Sequence, residues 1–198
     1  MENREQNHRQ LRAVSTNFTT REDGEAKHIE GYFAVFNSIY EIGPGMSESI
    51  APGAFSESLD GDVRALTNHD TTLVLGRTTA GTLVIREDET GLYGDILINP
   101  NDQDALNTWE RVRRGDVSQC SIGFDIIDEA AEYRDDGAVH WTLRKVKLWE
   151  VSVCTFPAYA ETNIHARAAD RDAMRQRSLE AWKNKMKEVL RGCWKSCC

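Results

Sequence analysis

The 198-residue chain is 40% hydrophobic and 28% charged, a globular composition with room for one packed core and little for a second domain. Its net charge of −8 argues against a protein whose main task is to grip nucleic acid, which needs a basic face. No apolar run approaches the ~18–20 residues that cross a bilayer. The polar start MENREQNHRQLR has no apolar signal core either, so a cytoplasmic protein without nucleic-acid or membrane partners is expected.

Residues 1–12 are polar and read as a flexible arm. From Ala13 to Tyr40 the pattern is β: VSTNF, a turn at 23–25, then HIEGYFAVFN with Ile29, Tyr32, Phe33, Val35 and Phe36 supplying buried positions. The Pro- and Gly-rich GPGMSESIAPGAFSESL predicts a loop opening into a short helix, with Phe55 and Leu59 four apart on one side. VRALTN is a short strand ending in Asn68, His69 and Asp70. LVLGRT, GTLVIRED and GLYGDILI are three more strands, separated by the turn signals TTAG and DETG. NPNDQDALNTWERVRRGD reads as a helix capped by Asn101 or Asp102, with Leu106, Trp109 and Val112 as its stripe and Gly115 at its end.

VSQCSIGFDIIDEAAEY reads as a strand at a pair edge, and AVHWTLRKVKLWEVSVCTFPA predicts two further strands that alternate from Trp141 to Val151. Residues 166–191 are helical by period, with Leu179, Trp182, Met186, Val189 and Leu190 as the stripe. About eight strands with two or three helices predict a mainly β fold, a barrel or sandwich wrapped by helices. The division is an arm at 1–12, a main domain at 13–165 and a helical tail at 166–198.

Of the five cysteines, Cys120 and Cys154 sit in apolar strand segments and read as small buried hydrophobes. Cys193, Cys197 and Cys198 crowd the end of the chain. A CxxxCC tail can be half of a metal site, but no second Cys/His cluster completes it, so no metal or cofactor is expected. An odd cysteine count without a secretion signal also argues against a disulfide framework.

Three residues invite a chemical reading. His69 follows an apolar strand between polar neighbours, where an imidazole serves as a general base or simply sits in a turn. Ser121, in QCSIGF, is either a buried hydroxyl bonded to backbone or a nucleophile, and Gly123 beside it permits a close approach. Glu150 shares a strand face with Leu148, opposite Trp149 and Val151. If that face is interior, the carboxylate needs a partner: Arg77 or Lys147 in a salt bridge, or a histidine that it orients. His140, placed in a polar turn, is an alternative third member. His8, His28 and His165 read as exposed residues near loops or ends. No GxSxG elbow, HExxH, P-loop or GxGxxG is present.

The words GYFAVFN, ESIAPGAFSESL, VRALTNHD, LGRTTAGTLVIREDETGL, GDVSQCSIGF and LWEVSVCTFPAYAETN, in that order from Gly31 to Asn163, resemble the phage prohead (head maturation) serine protease family. The resemblance implies an assemblin-like closed β-barrel surrounded by a few α-helices. It implies a serine endopeptidase with Ser121 as nucleophile, His69 as base and Glu150 as third member, without a cofactor. It also makes the 13–165 segment a protease domain. Cys120 and Ile122 stand where the family commonly has Met and Phe, and Val153 where it commonly has Pro; these swaps around the serine keep apolar character. The implied substrates are the major capsid protein, its scaffold region and the chain itself. The implied place is the immature head within the host cytoplasm, and self-association as a dimer follows by analogy with the assemblins. The alternative is a non-enzymatic capsid or scaffold component whose tail helix docks partners.

Overall fold

Alternating β-branched and aromatic residues pair into two sheets, a seven-stranded and a four-stranded one, which makes the fold mainly β with few helices. A computed structural model describes residues 10–14, 18–134, 136–156, 171–177 and 179–187. In chain order the strands are β1 (Gln10–Val14), β2 (Thr19–Asp23), β3 (Ala26–Val35), β4 (Tyr40–Gly43), β5 (Met46–Ile50), β6 (Arg64–Thr67), β7 (Asp70–Arg77), β8 (Leu83–Glu87) and β9 (Gly91–Ile98). Helix α1 (Gln103–Arg114) follows, then two long strands, β10 (Gln119–Tyr133) and β11 (Val139–Cys154).

The larger sheet is organised by β11. One edge of β11 pairs antiparallel with β10, which in turn carries β1. Its other edge is shared: Val139–Leu143 pair in parallel with β5, and Glu150–Val153 pair in parallel with β6. The loop before β6 fills the gap between them. There Ser58 Oγ donates to the Val146 carbonyl at 2.9 Å and accepts from the Leu148 amide at 3.0 Å. The smaller sheet runs β2-β3-β9-β8, antiparallel throughout.

The inner faces of the two sheets meet in one core. Ile29, Phe33, Leu92 and Ile96 come from one side, and Ile122, Phe124, Leu143 and Val151 from the other. Phe33 packs over Gly94, where an added Cβ would lie 2.6 Å from the ring. Helix α1 starts at Asp102, whose side chain accepts the amides of Asp104 and Ala105, and it stops at Gly115 in the left-handed region. It turns Trp109 and Val112 into the core, and the Trp109 indole donates to the His28 carbonyl at 3.1 Å. A second cluster of Ile42, Met46, Val139 and Trp141 lies at the far end of β11, with Met174 packed on it. Residues 171–177 and 179–187 are helical.

Several sequence expectations change. β1 begins at Gln10, inside the stretch expected as an arm, while residues 1–9 lie outside the described residues. MSESI, read as loop, is β5; it is buried along its length, so it shows no alternation to betray it. The segment expected as two strands after residue 138 is the single 16-residue β11. Bulges at Gly123/Phe124, Ile126/Asp128 and Asp128/Glu129 absorb the phase changes that looked like strand ends. His140 lies within β11 rather than in a turn, and His28 lies in β3 with its Nδ1 2.7 Å from Asp95 Oδ1 rather than free in solvent. The CxxxCC tail falls outside the described residues. No helix among those residues is long and apolar enough to cross a membrane.

Truncating the core tests this arrangement. Phe33→Ala is expected to cost about 3–5 kcal/mol in chemical denaturation. Val84→Ala, on the exposed face of β8, should stay within ~0.5 kcal/mol.

Candidate active site

His69 stands in a two-residue hairpin turn between β6 and β7. Asn68 and His69 both have positive φ, 53° and 61°, the conformation of a type I′ turn. Asn tolerates that region; His does so less readily and needs surrounding contacts to hold it. Those contacts come from the end of β11. The Asn68 amide donates to the Val153 carbonyl at 2.9 Å, and Asn68 Oδ1 accepts the Thr155 amide at 2.8 Å. The turn is thereby fixed over the strand that carries Glu150.

Glu150 is only 2% exposed, and both of its oxygens are engaged. His69 Nδ1 lies 2.6 Å from Oε1, and Ser152 Oγ donates to Oε2 at 2.6 Å. A carboxylate only accepts, so the imidazole proton sits on Nδ1 and the neutral ring offers its lone pair at Nε2. Ser152 also accepts the His69 backbone amide at 3.3 Å, so one hydroxyl holds both members of the pair. Of the partners weighed from sequence, the salt bridges do not form. Arg77 binds Asp62 at 2.7 Å, and Lys147 lies 4.0 Å over the Trp149 ring.

The strand ladder brings Ser121 to the same place. β10 and β11 pair Ser121 with Ser152 and Gly123 with Glu150, and directly paired residues share a sheet face. Phe124 then pairs with Leu148, which makes Trp149 the extra residue of a bulge immediately beside Glu150. The glycine is required here: a Cβ on Gly123 would lie 2.4 Å from Glu150 Oε1. The sequence assigns the space beside Gly123 to a backbone or a substrate, and the group that fills it is instead the Glu150 carboxylate.

Ser121 Oγ and His69 Nε2 are both buried, and neither has a hydrogen-bond partner among the described residues. A buried hydroxyl and a buried ring nitrogen, each left without a partner, are the groups that a nucleophile and its base require. Cys154, at the end of β11, is a poor nucleophile. Burial, and then the Glu150 charge, push its thiol up to about 12.

His140 is remote from this group. It lies ten residues up β11 from Glu150, about 30 Å of strand, and its ring nitrogens are 2.9 and 2.8 Å from the hydroxyls of Ser47 and Ser49. Ser152 and Asn68 were not singled out from sequence. The first had a usable signal, two positions from Glu150 and so on its face. The second had only the tolerance of Asn for positive φ. A groove of about 630 Å³ opens along Lys145, Lys147 and Trp149 and includes none of the three candidate residues.

A model of the caudovirus prohead serine protease family matches residues 15–177. The prohead protease of Enterobacteria phage HK97 is 29% identical over 164 residues, covering 81% of this chain and 68% of that one. The structure of the bacteriophage T4 capsid assembly protease, gp21, aligns over 74% of this chain and 99% of that one, at 12% identity and a TM-score of 0.39.

Removing the shared hydroxyl isolates its contribution. Ser152→Ala leaves Glu150 Oε2 and the His69 amide without their partner, so a loss of about 1–3 kcal/mol is expected by chemical denaturation. In the folded chain, Cys154 should resist alkylation by iodoacetamide at neutral pH and react only on unfolding, as followed by mass spectrometry.

Proposed function

The chain belongs to the caudovirus prohead serine protease family, and from that membership we propose that it is a serine endopeptidase acting through Ser121, His69 and Glu150 in the maturation of phage heads. The observation that carries this reading is the 2.6 Å bond between His69 Nδ1 and the buried Glu150 carboxylate, which leaves Nε2 as the basic nitrogen of the ring. In this mechanism His69 takes the Ser121 proton as Oγ attacks a peptide carbonyl. Glu150 holds the ring's tautomer and supports its positive charge. The protonated ring then gives its proton to the leaving amine. Water, deprotonated by the same ring, releases the acyl group as a new carboxyl end and regenerates Ser121.

The substrates proposed are the major capsid protein with its scaffold region and the chain itself, cleaved inside the immature head in the host cytoplasm. The family's description and the name of the HK97 relative, a prohead protease, support a role in the prohead. The protease unit takes in β1 from Gln10 and runs to 165, and it works as a dimer. Its two sheets act as a barrel: β3 lies against β10 at one seam and β7 against β9 at the other, which supports closure. The tail, 166–198, meets the protease unit at Met174, which packs on the Trp141 cluster. Leu179, Trp182 and Met186 are exposed along its helix, which supports a docking role for it and is the feature that favours a purely assembly function. The bonded His69–Glu150 pair beside Ser121 favours the enzyme, because assembly needs none of these groups.

Co-expression with the capsid protein tests the reading. Wild type is expected to give a shortened capsid band. Ser121→Ala and His69→Ala should each lower cleavage by about four orders of magnitude or more, abolishing that band. Processing that persists in both variants contradicts the serine assignment. Gly123→Ala, which pushes Glu150 away from its place, should cost roughly 10²-fold in rate while the chain stays folded.

A further inference from the structure

The strand that carries Ser121 has two edges, and one is closed to any peptide. β11 covers it from Gln119 to Tyr133, with bulges between Gly123 and Phe124 and around Asp128. The other edge is occupied near Ser121 by β1, in antiparallel register: Gln10 opposite Phe124, Leu11 opposite Gly123, Ala13 opposite Ser121 and Val14 opposite Cys120. Among the described residues β1 pairs with no strand except β10, so these five residues are held in that ladder along one side. Beside them Ser121 is 0% exposed, and its Oγ is without a hydrogen-bond partner among the described residues. A nucleophile in that state has no route to an external carbonyl until something beside it moves.

An extended peptide gains main-chain hydrogen bonds most directly by adding as a strand to a sheet edge. We propose that the β10 edge from Cys120 to Phe124 is the peptide-binding edge of this enzyme, and that β1 is the chain's own segment bound there, displaced when an extended substrate segment adds antiparallel to β10. This rests on the reading of Ser121 as nucleophile. A tethered strand competes at an effective concentration on the order of millimolar. A peptide in trans therefore binds with its affinity lowered by the fraction of chains whose edge is open. Loss or loosening of β1 raises access to Ser121 without touching the catalytic groups.

The test measures how fast Ser121 is labelled by a fluorophosphonate probe, read by mass spectrometry of the modified peptide. The chain lacking residues 1–14 is expected to label on the order of tenfold faster than the full chain, the gain for an edge open roughly a tenth of the time. A synthetic peptide spanning residues 6–18 should slow labelling of the truncated chain. Adjacent amides in a strand point to opposite edges, so Arg12→Pro and Ala13→Pro form an internal control that needs no truncation. One of them removes an amide facing β10 and should accelerate labelling; the other should match the wild type. Thermal unfolding of each variant reports that the fold is kept. Equal labelling in every folded form overturns this proposal alone. No labelling in any form, full-length chain included, overturns the assignment of Ser121 and this proposal with it.

Discussion

Glu150 is a carboxylate sealed between two strands at 2% exposure. A polar group in that position costs several kcal/mol unless its oxygens find donors, and a charge costs more. Both oxygens are engaged, one by the His69 ring and one by Ser152. The local backbone follows from that demand. Gly123 clears the space the carboxylate fills, and the bulge at Trp149 puts Glu150 on the face of Ser121 and Ser152, opposite the core residues Leu148 and Val151. The carboxylate is explained by what it holds.

The same demand accounts for the turn. Two successive residues with positive φ, one of them a histidine, are held because Asn68 is fastened to the end of β11 through its amide and its side-chain oxygen. Strain of this kind persists only where surrounding contacts over-determine it, and here it aims an imidazole. The site thus depends on long-range pairing: β6 beside β11, β10 on the other edge, and a hairpin tip folded across. None of the three candidate residues lies on α1. The helix serves the core through Trp109 and leaves the chemistry to the sheet.

How much of this was legible follows from which signals are local. Helix α1 could be read to its caps, because Asp102 and Gly115 act within one turn of the chain. The lengths of β10 and β11 could not, since bulges break the alternation that defines a strand in sequence. β5 was hidden by burial along its whole length and by the Pro and Gly around it. His69 and Glu150 could be named as candidates from their settings and from family resemblance, but their contact spans 81 residues and is a fact of topology. Ser152 passed as one more small residue in a buried strand. His28 and His140 were misjudged because their partners, Asp95 and the serines of β5, come from other strands.

The central claim is that the buried Glu150 carboxylate fixes the tautomer of His69 and leaves Nε2 bare. Magnetic resonance of the chain with isotope-labelled histidine tests it most directly. The account predicts a far-downfield His69 ring proton on Nδ1, protected from exchange, together with an unprotonated Nε2 in the neutral ring. It also predicts that this proton signal is lost in a folded Glu150→Gln chain. A His69 ring protonated at Nε2 and bare at Nδ1, or a signal unchanged by Glu150→Gln, would contradict it.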